Sequence, residues 1–439
     1  MDITSRLERI PVSGFHYRLL FLAGLGWLFD AMDTGLIAFV LPVLAKSWNL
    51  SPAQVGYIGS IGLLGMAVGA VVSGWAADRF GRKNVFAATL LIYSIATGLC
   101  AIAGSYEVLL FLRFLVGFGL GGELPVAATL MTEYCPPDKR GRFVVLLESF
   151  WGAGWLVAAL IAFVFIPRYG WQAAFVIGAL PALYVFIIRL SAPESVRYLI
   201  SAGRVEEAHA IVSRMERSAG LEPVDEPRVA ALRQEQSIRF AVLWSRELFR
   251  RTLMLWILWF GIVYSYYGIF TWLPSLMVAQ GYTVIKSFEY VLVMTLAQLP
   301  GYFSAAYLVE RIGRKATLAI YLAACAVCAY FFGQGGSAAT VLVWGCLISF
   351  FNLGAWGVVY TYTPELYPTR IRAFGSGWAA AAGRFGGILA PTAVGYMITG
   401  AGGFAKVFGM FTIVMLAVAA VVWLIGEETK GKALEEISH

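Results

Sequence analysis

Charge is what this sequence has least of. Of its 439 residues only 13% are charged, and 59% are hydrophobic. Soluble domains carry about a quarter charged residues, so a water-facing globular class is excluded and a lipid-facing surface is required. Histidine is scarce too. His16, His209 and His439 are the whole set, and all lie outside the apolar runs. Any proton step inside the bilayer therefore falls to carboxylates. The five cysteines (Cys100, Cys135, Cys325, Cys328 and Cys346) lie mostly within apolar stretches, and no two fall in extracellular loops, so a disulfide framework is not expected. Cys325 and Cys328 form a C-x-x-C, but no histidine or second cysteine pair accompanies it. Small apolar residues on a membrane helix, with no metal site, are the reading it supports. No phosphate-cradling glycine loop, nucleophile constellation or metal-ligand spacing is present. That excludes an ATP-driven pump, argues against an enzyme and implies no cofactor.

Apolar runs of about 20 residues, the length that crosses a bilayer, are present twelve times. They start near Tyr17, Gln54, Asn84, Glu107, Phe143 and Trp171, then near Thr252, Lys286, Ala316, Ala338, Arg372 and Phe404. The first run is long and holds two carboxylates, so it is expected to remain a span and not to be a cleaved signal. A polar stretch separates the sixth run from the seventh, with helical patterns over 204–217 and 227–240. The expected organisation is an all-α integral membrane protein: a six-helix half over 1–190, a linker over 191–251 and a second half over 252–439. The net charge of +7 reflects loop placement and not nucleic-acid binding. Lys46, Arg168, Lys286 and Lys406 fall on one side, Arg113 and Arg384 fall inside spans, and every other Lys or Arg falls on the opposite side. Positive residues gather on the cytoplasmic side, so both termini and the linker are expected there. A monomer is expected, because one chain holds both halves.

Self-comparison gives an internal repeat. At an offset of 232 residues, Asp78-Arg79-Phe80-Gly81-Arg82-Lys83 falls on Glu310-Arg311-Ile312-Gly313-Arg314-Lys315, Glu133 on Glu365, Pro136 on Pro368 and Arg140 on Arg372. Two pseudo-symmetric six-helix halves of this kind place a solute site near the midplane.

A charge at mid-bilayer costs at least about 2.5–3.5 kcal/mol, so each one needs a partner or a wet cavity. Asp30 and Asp33 share one face of span 1. Arg113 and Glu123 lie in span 4, and Glu148 in span 5. All five are candidates for proton coupling, with Asp33–Arg113 serving either as a proton switch or as a strut. Glu123 and Glu148 either face the cavity or pair with Arg113. In span 11 Arg384 sits among glycines. A planar guanidinium can grip a carboxylate with two parallel hydrogen bonds, and the alternative is a bridge to span 10 or Asn352. Tyr264, Tyr267, Trp356 and Tyr360 could stack on an aromatic ring, and Gln298 and Asn352 could hydrogen-bond it. The set favours an aromatic organic acid over a sugar.

The turn GWAADRFGRK (Gly74–Lys83) resembles the signature loop of the major facilitator superfamily, and RFLVGFGLGG (Arg113–Gly122) its fourth-helix motif. PESVRYL (Pro193–Leu199) is similar to the linker of sugar porters, organic-ion transporters and synaptic-vesicle transporter-like proteins. GWLFDAMDTG (Gly26–Gly35), GGELPVA (Gly121–Ala127), LLESFWGAGW (Leu146–Trp155), FEYVLVMTLAQLPGYFSA (Phe288–Ala305) and FNLGAWGVVYTYTPE (Phe351–Glu365) resemble the bacterial niacin transporters. The resemblance implies the major facilitator fold and proton-coupled symport of nicotinate, with nicotinamide as a second solute, across the cell inner membrane. It also implies a span 1 Asp joined to a span 4 Arg, mapping to Asp33 and Arg113. A cytoplasmic gate is implied, built from Asp78, Arg82, Glu133, Arg140 and Glu194 in one half and from Glu310, Arg314, Glu365 and Arg372 in the other. Rival readings are a symporter for another aromatic acid and a non-transporting receptor or scaffold of the same fold. The intramembrane carboxylates and the doubled gate argue against the latter.

Overall fold

The computed structural model describes residues 3–136, 140–222, 240–368, 371–400 and 402–430. Among the described residues every regular element is a helix. Twelve helical stretches correspond to the apolar runs: spans 1 to 6 are Gly14–Ser47, Pro52–Phe80, Arg82–Cys100, Tyr106–Tyr134, Arg140–Tyr169 and Trp171–Ser191. The last is broken by a single tight turn at Leu180–Leu183. Spans 7 to 12 are Phe249–Ala279, Val284–Ile312 with a break at Ala297, Arg314–Gly333, Ala338–Glu365, Arg372–Met397 and Gly403–Ile425. Ten of the helical stretches are long and apolar enough, by length and composition, to cross a membrane. At 1.5 Å per residue most exceed the roughly 30 Å hydrocarbon core, so their ends stand in the headgroup region.

Local chemistry sets several starts. Ser105, Thr283 and Ser337 accept from the backbone N–H three residues on, capping spans 4, 8 and 10. A side-chain oxygen there satisfies an amide that the helix leaves unpaired. Lipid solvates the outside, so large apolar residues such as Val71, Phe111, Phe303 and Leu424 stand exposed.

The chain divides into two compact units that do not follow the sequence halves. One comprises residues 1–34, 64–158 and 172–235, and the other residues 35–63, 159–171 and 236–439. The second unit thus takes up the latter part of span 1, the first part of span 2 and the end of span 5. Within it Phe39 packs edge-on against Phe288 and Trp48 against Trp171. Ser60 Oγ donates to the Ile388 carbonyl at 2.6 Å, and the Tyr57 and Tyr396 hydroxyls are hydrogen-bonded.

In the first unit the linker is helical over Val205–Ser218, as its pattern predicts. The stretch 227–240, expected to be helical, lies outside the described residues up to Phe240. An additional short helix, Ile3–Arg9, was not expected. Its fully buried Arg6 grips Glu216 through two parallel bonds of 3.1 and 2.7 Å, Arg9 adds a third at 3.0 Å, and Ser213 and His209 complete the shell around Arg6. Burial alone pushes the Glu216 carboxyl up, but the hydrogen bonds and charges of Arg6 and Arg9 outweigh it and hold the group below the ordinary glutamate value. A depressed carboxyl stabilises the fold above its unfolded pKa of about 4.3, and that contribution is lost as pH falls through the folded value. Removing one partner of a buried pair strands the other charge, at roughly 3 kcal/mol. Glu216→Ala is therefore expected to lower the melting temperature in detergent at pH 7 and to speed amide exchange in residues 3–9. The gap to the unchanged protein should begin to narrow as pH falls below about 4.3 and close only below the lowered folded value. A gap that does not narrow as pH falls through that range would show that the carboxylate charge is not what matters.

Candidate functional site

Three groups of polar side chains stand out. The first lies at the inner faces of spans 1, 3 and 4. Asp33 is fully buried. Its Oδ2 accepts from Arg113 at 3.3 Å and its Oδ1 from the Thr97 hydroxyl at 2.6 Å. Opposite charges that share a bilayer interior neutralise one another, which is the condition for keeping either there. Asp30, three residues earlier, is equally buried and retains an interaction of its own. Glu148 in span 5 does not join Arg113. It has no hydrogen bond or ion pair among the described residues. The Glu123 side chain lies outside the described residues.

The second group is carried by spans 7, 10 and 11. Span 11 seats closely on span 7 because Gly383 and Gly386 face it. A Cβ at Gly383 would come within 2.8 Å of Val263, and one at Gly386 would overlap the Phe260 carbonyl. Arg384 lies between these glycines in the sequence. It is half-buried, has no hydrogen bond or ion pair among the described residues, and lies within electrostatic reach of Tyr267 and Tyr360. Around those tyrosines runs an aromatic cluster. Trp356 packs on Trp259 at 5.8 Å, on Tyr266 at 5.6 Å and on Tyr360 at 5.7 Å, and Tyr266 packs on Tyr267 at 5.2 Å. The Trp259 indole is satisfied by Thr363 at 2.9 Å, whereas the buried Trp356 indole N–H finds no acceptor among the described residues.

The remaining expected residues divide. The Tyr264 hydroxyl is turned onto Met410 Sδ at 3.0 Å, which makes it a packing residue between spans 7 and 12. Asn352 donates to Ser265 at 3.3 Å, and its side-chain carbonyl, the atom that would accept from Arg384, is unpartnered among the described residues. Gln298 starts the second segment of span 8. It is fully buried, with neither amide atom partnered among the described residues.

The third group is a device built twice. In one copy Arg82 pairs with Glu133 at 2.7 Å, and Glu194 Oε1 accepts the backbone N–H groups of Arg82 and Lys83 at 2.9 and 3.1 Å. Ser195 donates to Glu133 at 2.5 Å, and the Tyr134 hydroxyl to the Glu194 carbonyl at 2.5 Å. In the other copy Arg314 pairs with Glu365 at 3.0 Å, and Glu428 accepts the N–H groups of Arg314 and Lys315 at 2.9 and 3.2 Å. Thr429 donates to Glu365 at 2.5 Å, and Tyr362 to the Glu427 carbonyl at 2.7 Å. Each carboxylate sits on the positive end of a helix dipole. The preceding glycine, Gly81 or Gly313, has φ of 91° or 95°, and any Cβ there would strike that carboxylate. The sequence named Glu194 but not Glu427, Glu428 or Thr429. The signal was the acid–hydroxyl pair after the last span of each half, Glu194-Ser195 and Glu428-Thr429, two residues off the repeat offset. Arg372 donates to the Pro364 carbonyl at 2.9 Å. Glu310, expected in the network, is exposed and bonds to nothing among the described residues. The side chains of Asp78 and Arg140 lie outside the described residues.

Two six-span halves, intramembrane charges and a duplicated charged turn define a membrane transporter of the major facilitator class. The family model for sugar (and other) transporters matches residues 21–439, and the chain belongs to that family. It is 62% identical, over all of both chains, to the niacin transporter NiaP of Acinetobacter baylyi. It is 49% identical to a Bacillus subtilis protein provisionally named a niacin/nicotinamide transporter, over 95% of this chain and 98% of that one. The xylose transporter XylE of E. coli shares the fold, with a TM-score of 0.76 at 18% identity over 96% of this chain and all of that one. Family and relatives are transporters and not enzymes.

If the two carboxylate caps are equivalent, Glu194→Gln and Glu428→Gln should each cut transport by about tenfold, the equivalent of one lost helix cap, while the protein still reaches the membrane. Uptake per molecule of inserted protein checks this. Full activity of the Glu428 variant would remove the carboxyl-terminal cap from the account.

Proposed function

We propose that the protein imports nicotinate across the bacterial inner membrane by proton-coupled symport through alternating access, as a monomer with both termini in the cytoplasm. The observation that carries the reading is Arg384, an intramembrane guanidinium with no hydrogen bond or ion pair among the described residues, beside an aromatic cluster. A cation left alone in a low-dielectric setting favours an anion that can enter and leave. A carboxylate matches its fork with two parallel bonds. Tyr267, Trp356 and Tyr360 supply faces for a pyridine ring. The Trp356 indole N–H and the Gln298 and Asn352 amides are polar groups with hydrogen-bonding capacity left over. Nicotinate combines the carboxylate, the ring and the ring nitrogen, and the relatives named as niacin transporters support it.

The proton is assigned to the carboxylates of spans 1, 4 and 5. Protonating Asp33 removes its attraction to Arg113 and loosens spans 1 and 4, so one proton can bias a two-state equilibrium. Asp30, Glu123 and Glu148 are the further carriers this scheme allows. Benzoate, with the same carboxylate and no ring nitrogen, is the second reading, because Arg384 and the aromatic faces do not themselves require the nitrogen.

Uptake of labelled nicotinate by cells lacking their own niacin carrier tests the proposal. Saturable uptake should collapse with an uncoupler and be competed by nicotinate before benzoate or nicotinamide. Preferential competition by benzoate would move the substrate, and insensitivity to the uncoupler would remove the proton. Asp33→Asn separates switch from strut. As a switch the variant keeps exchange of internal for external nicotinate and loses accumulation. As a strut it loses both, together with its level in the membrane.

A further inference from the structure

The first unit holds a cavity that the transport reading does not use. It has a volume of about 490 Å³ and lies where span 1, the start of span 3, the end of span 6 and the linker helix meet. Arg18, Lys83, Arg204 and Arg214 line it, against Glu194 and Glu207. Both acids are already engaged. Glu207 pairs with Arg204 through two bonds of 2.6 Å, and Glu194 Oε1 accepts three backbone N–H groups, those of Arg82, Lys83 and Ser195. The side chains of Arg18, Lys83 and Arg214 have no hydrogen bond or ion pair among the described residues. Four cations thus face two carboxylates across one space, and the lining keeps a net charge of +2.

The same cavity has an apolar side, formed by Phe15, Leu19, Leu22, Leu190 and Leu199. Leu190 is 87% exposed, and it continues a column on span 6 with Ile187 and Leu183, which are 51% and 65% exposed. Spacings of three and four residues put these on one helix face. A basic chamber therefore opens onto a stripe of apolar side chains at the end of a span. Soluble anions use the first feature and have no need of the second. A phospholipid needs both: a phosphate for the cations and a surface for its acyl chain. Basic pockets between spans are a recognised form of anionic headgroup site.

We infer that this cavity binds the headgroup of an anionic phospholipid of the cytoplasmic leaflet, with an acyl chain laid along Leu190, Ile187 and Leu183. The leaflet assignment rests on the orientation proposed above, while the binding chemistry is independent of it and of the transported solute. The lipid phosphate bridges Arg18 of span 1, Lys83 of span 3 and Arg214 of the linker helix. It ties the linker to the spans in the same unit as the Glu194 cap.

The test uses the purified full chain in neutral detergent, followed by thermal unfolding. Short-chain phosphatidylglycerol is titrated against short-chain phosphatidylcholine and against glycerol phosphate. Phosphatidylglycerol should raise the midpoint by about 3 °C or more as it saturates a site on the folded protein, and the other two probes should not. The triple change Arg18→Gln, Lys83→Gln and Arg214→Gln should abolish the shift. Where that protein does not fold, Lys83→Gln alone should at least halve it. Removing two cations that do not line the cavity, Arg168→Gln with Lys406→Gln, should leave it intact. Equal shifts from phosphatidylcholine, or a full shift in the triple variant, would overturn the site. An equal shift from glycerol phosphate would make it a soluble-phosphate site and overturn the lipid.

Discussion

Everything in this molecule answers to one constraint: a charge inside the bilayer must be neutralised, hydrated or occupied by something that comes and goes. Asp33 and Arg113 obey it by pairing, with Thr97 satisfying the second carboxylate oxygen. Arg384 has no such pairing among the described residues. The protein holds it in place through close contact between span 11 and span 7 and surrounds its neighbours Tyr267 and Tyr360 with rings. A fixed cation with an aromatic surround is preorganised for an aromatic anion, because little has to be rearranged when the anion arrives. In the proposed symport the paired charge and the unpaired charge divide the work: the first answers to a proton and the second to a solute.

Outside the bilayer the constraint relaxes, and charge is used for rigidity. The duplicated cap joins a span's first turn to the segment that follows the last span of the same half. Its ion pairs are only partly exposed, with Arg82 and Glu133 at 18% and 6%. They also sit within a net of backbone and hydroxyl bonds. That distinguishes them from isolated surface pairs, which contribute about 0–1 kcal/mol. A half stiffened this way can move as a body, which is what transport by rocking requires.

The twelve spans were legible because the hydrocarbon thickness imposes a run length that composition alone reveals. All twelve helices begin within three residues of the expected starts of those runs, spans 1 and 2 included. The duplicated turn was legible because Gly81 and Gly313 need positive φ and so recur at a fixed offset. Glu428 and Thr429 were missed because the second copy carries two extra residues before its acid–hydroxyl pair, which shifts them out of register with Glu194 and Ser195. Arg6–Glu216 was missed because it depends on two helices some two hundred residues apart docking together. Residue type alone could not separate Tyr264, whose hydroxyl meets Met410, from Tyr267 on the Arg384 side. That difference is a rotation about the helix axis. The boundary of the compact units was hidden for a similar reason. It cuts through spans 1, 2 and 5, whose two ends pack against different neighbours.

The central claim is that Arg384 reads the carboxylate of the solute, and a ligand-and-variant cycle tests it most directly. Binding of nicotinate and of nicotinamide, which lacks the anion, would be measured by tryptophan fluorescence on the purified protein and on Arg384→Gln. The account predicts that nicotinate binds at least about tenfold more tightly than nicotinamide to the unchanged protein, as a charged hydrogen-bonded pair would give. In the variant the two should bind about equally, because nicotinate alone weakens. An undiminished preference for nicotinate in the variant would contradict the account and place carboxylate recognition elsewhere.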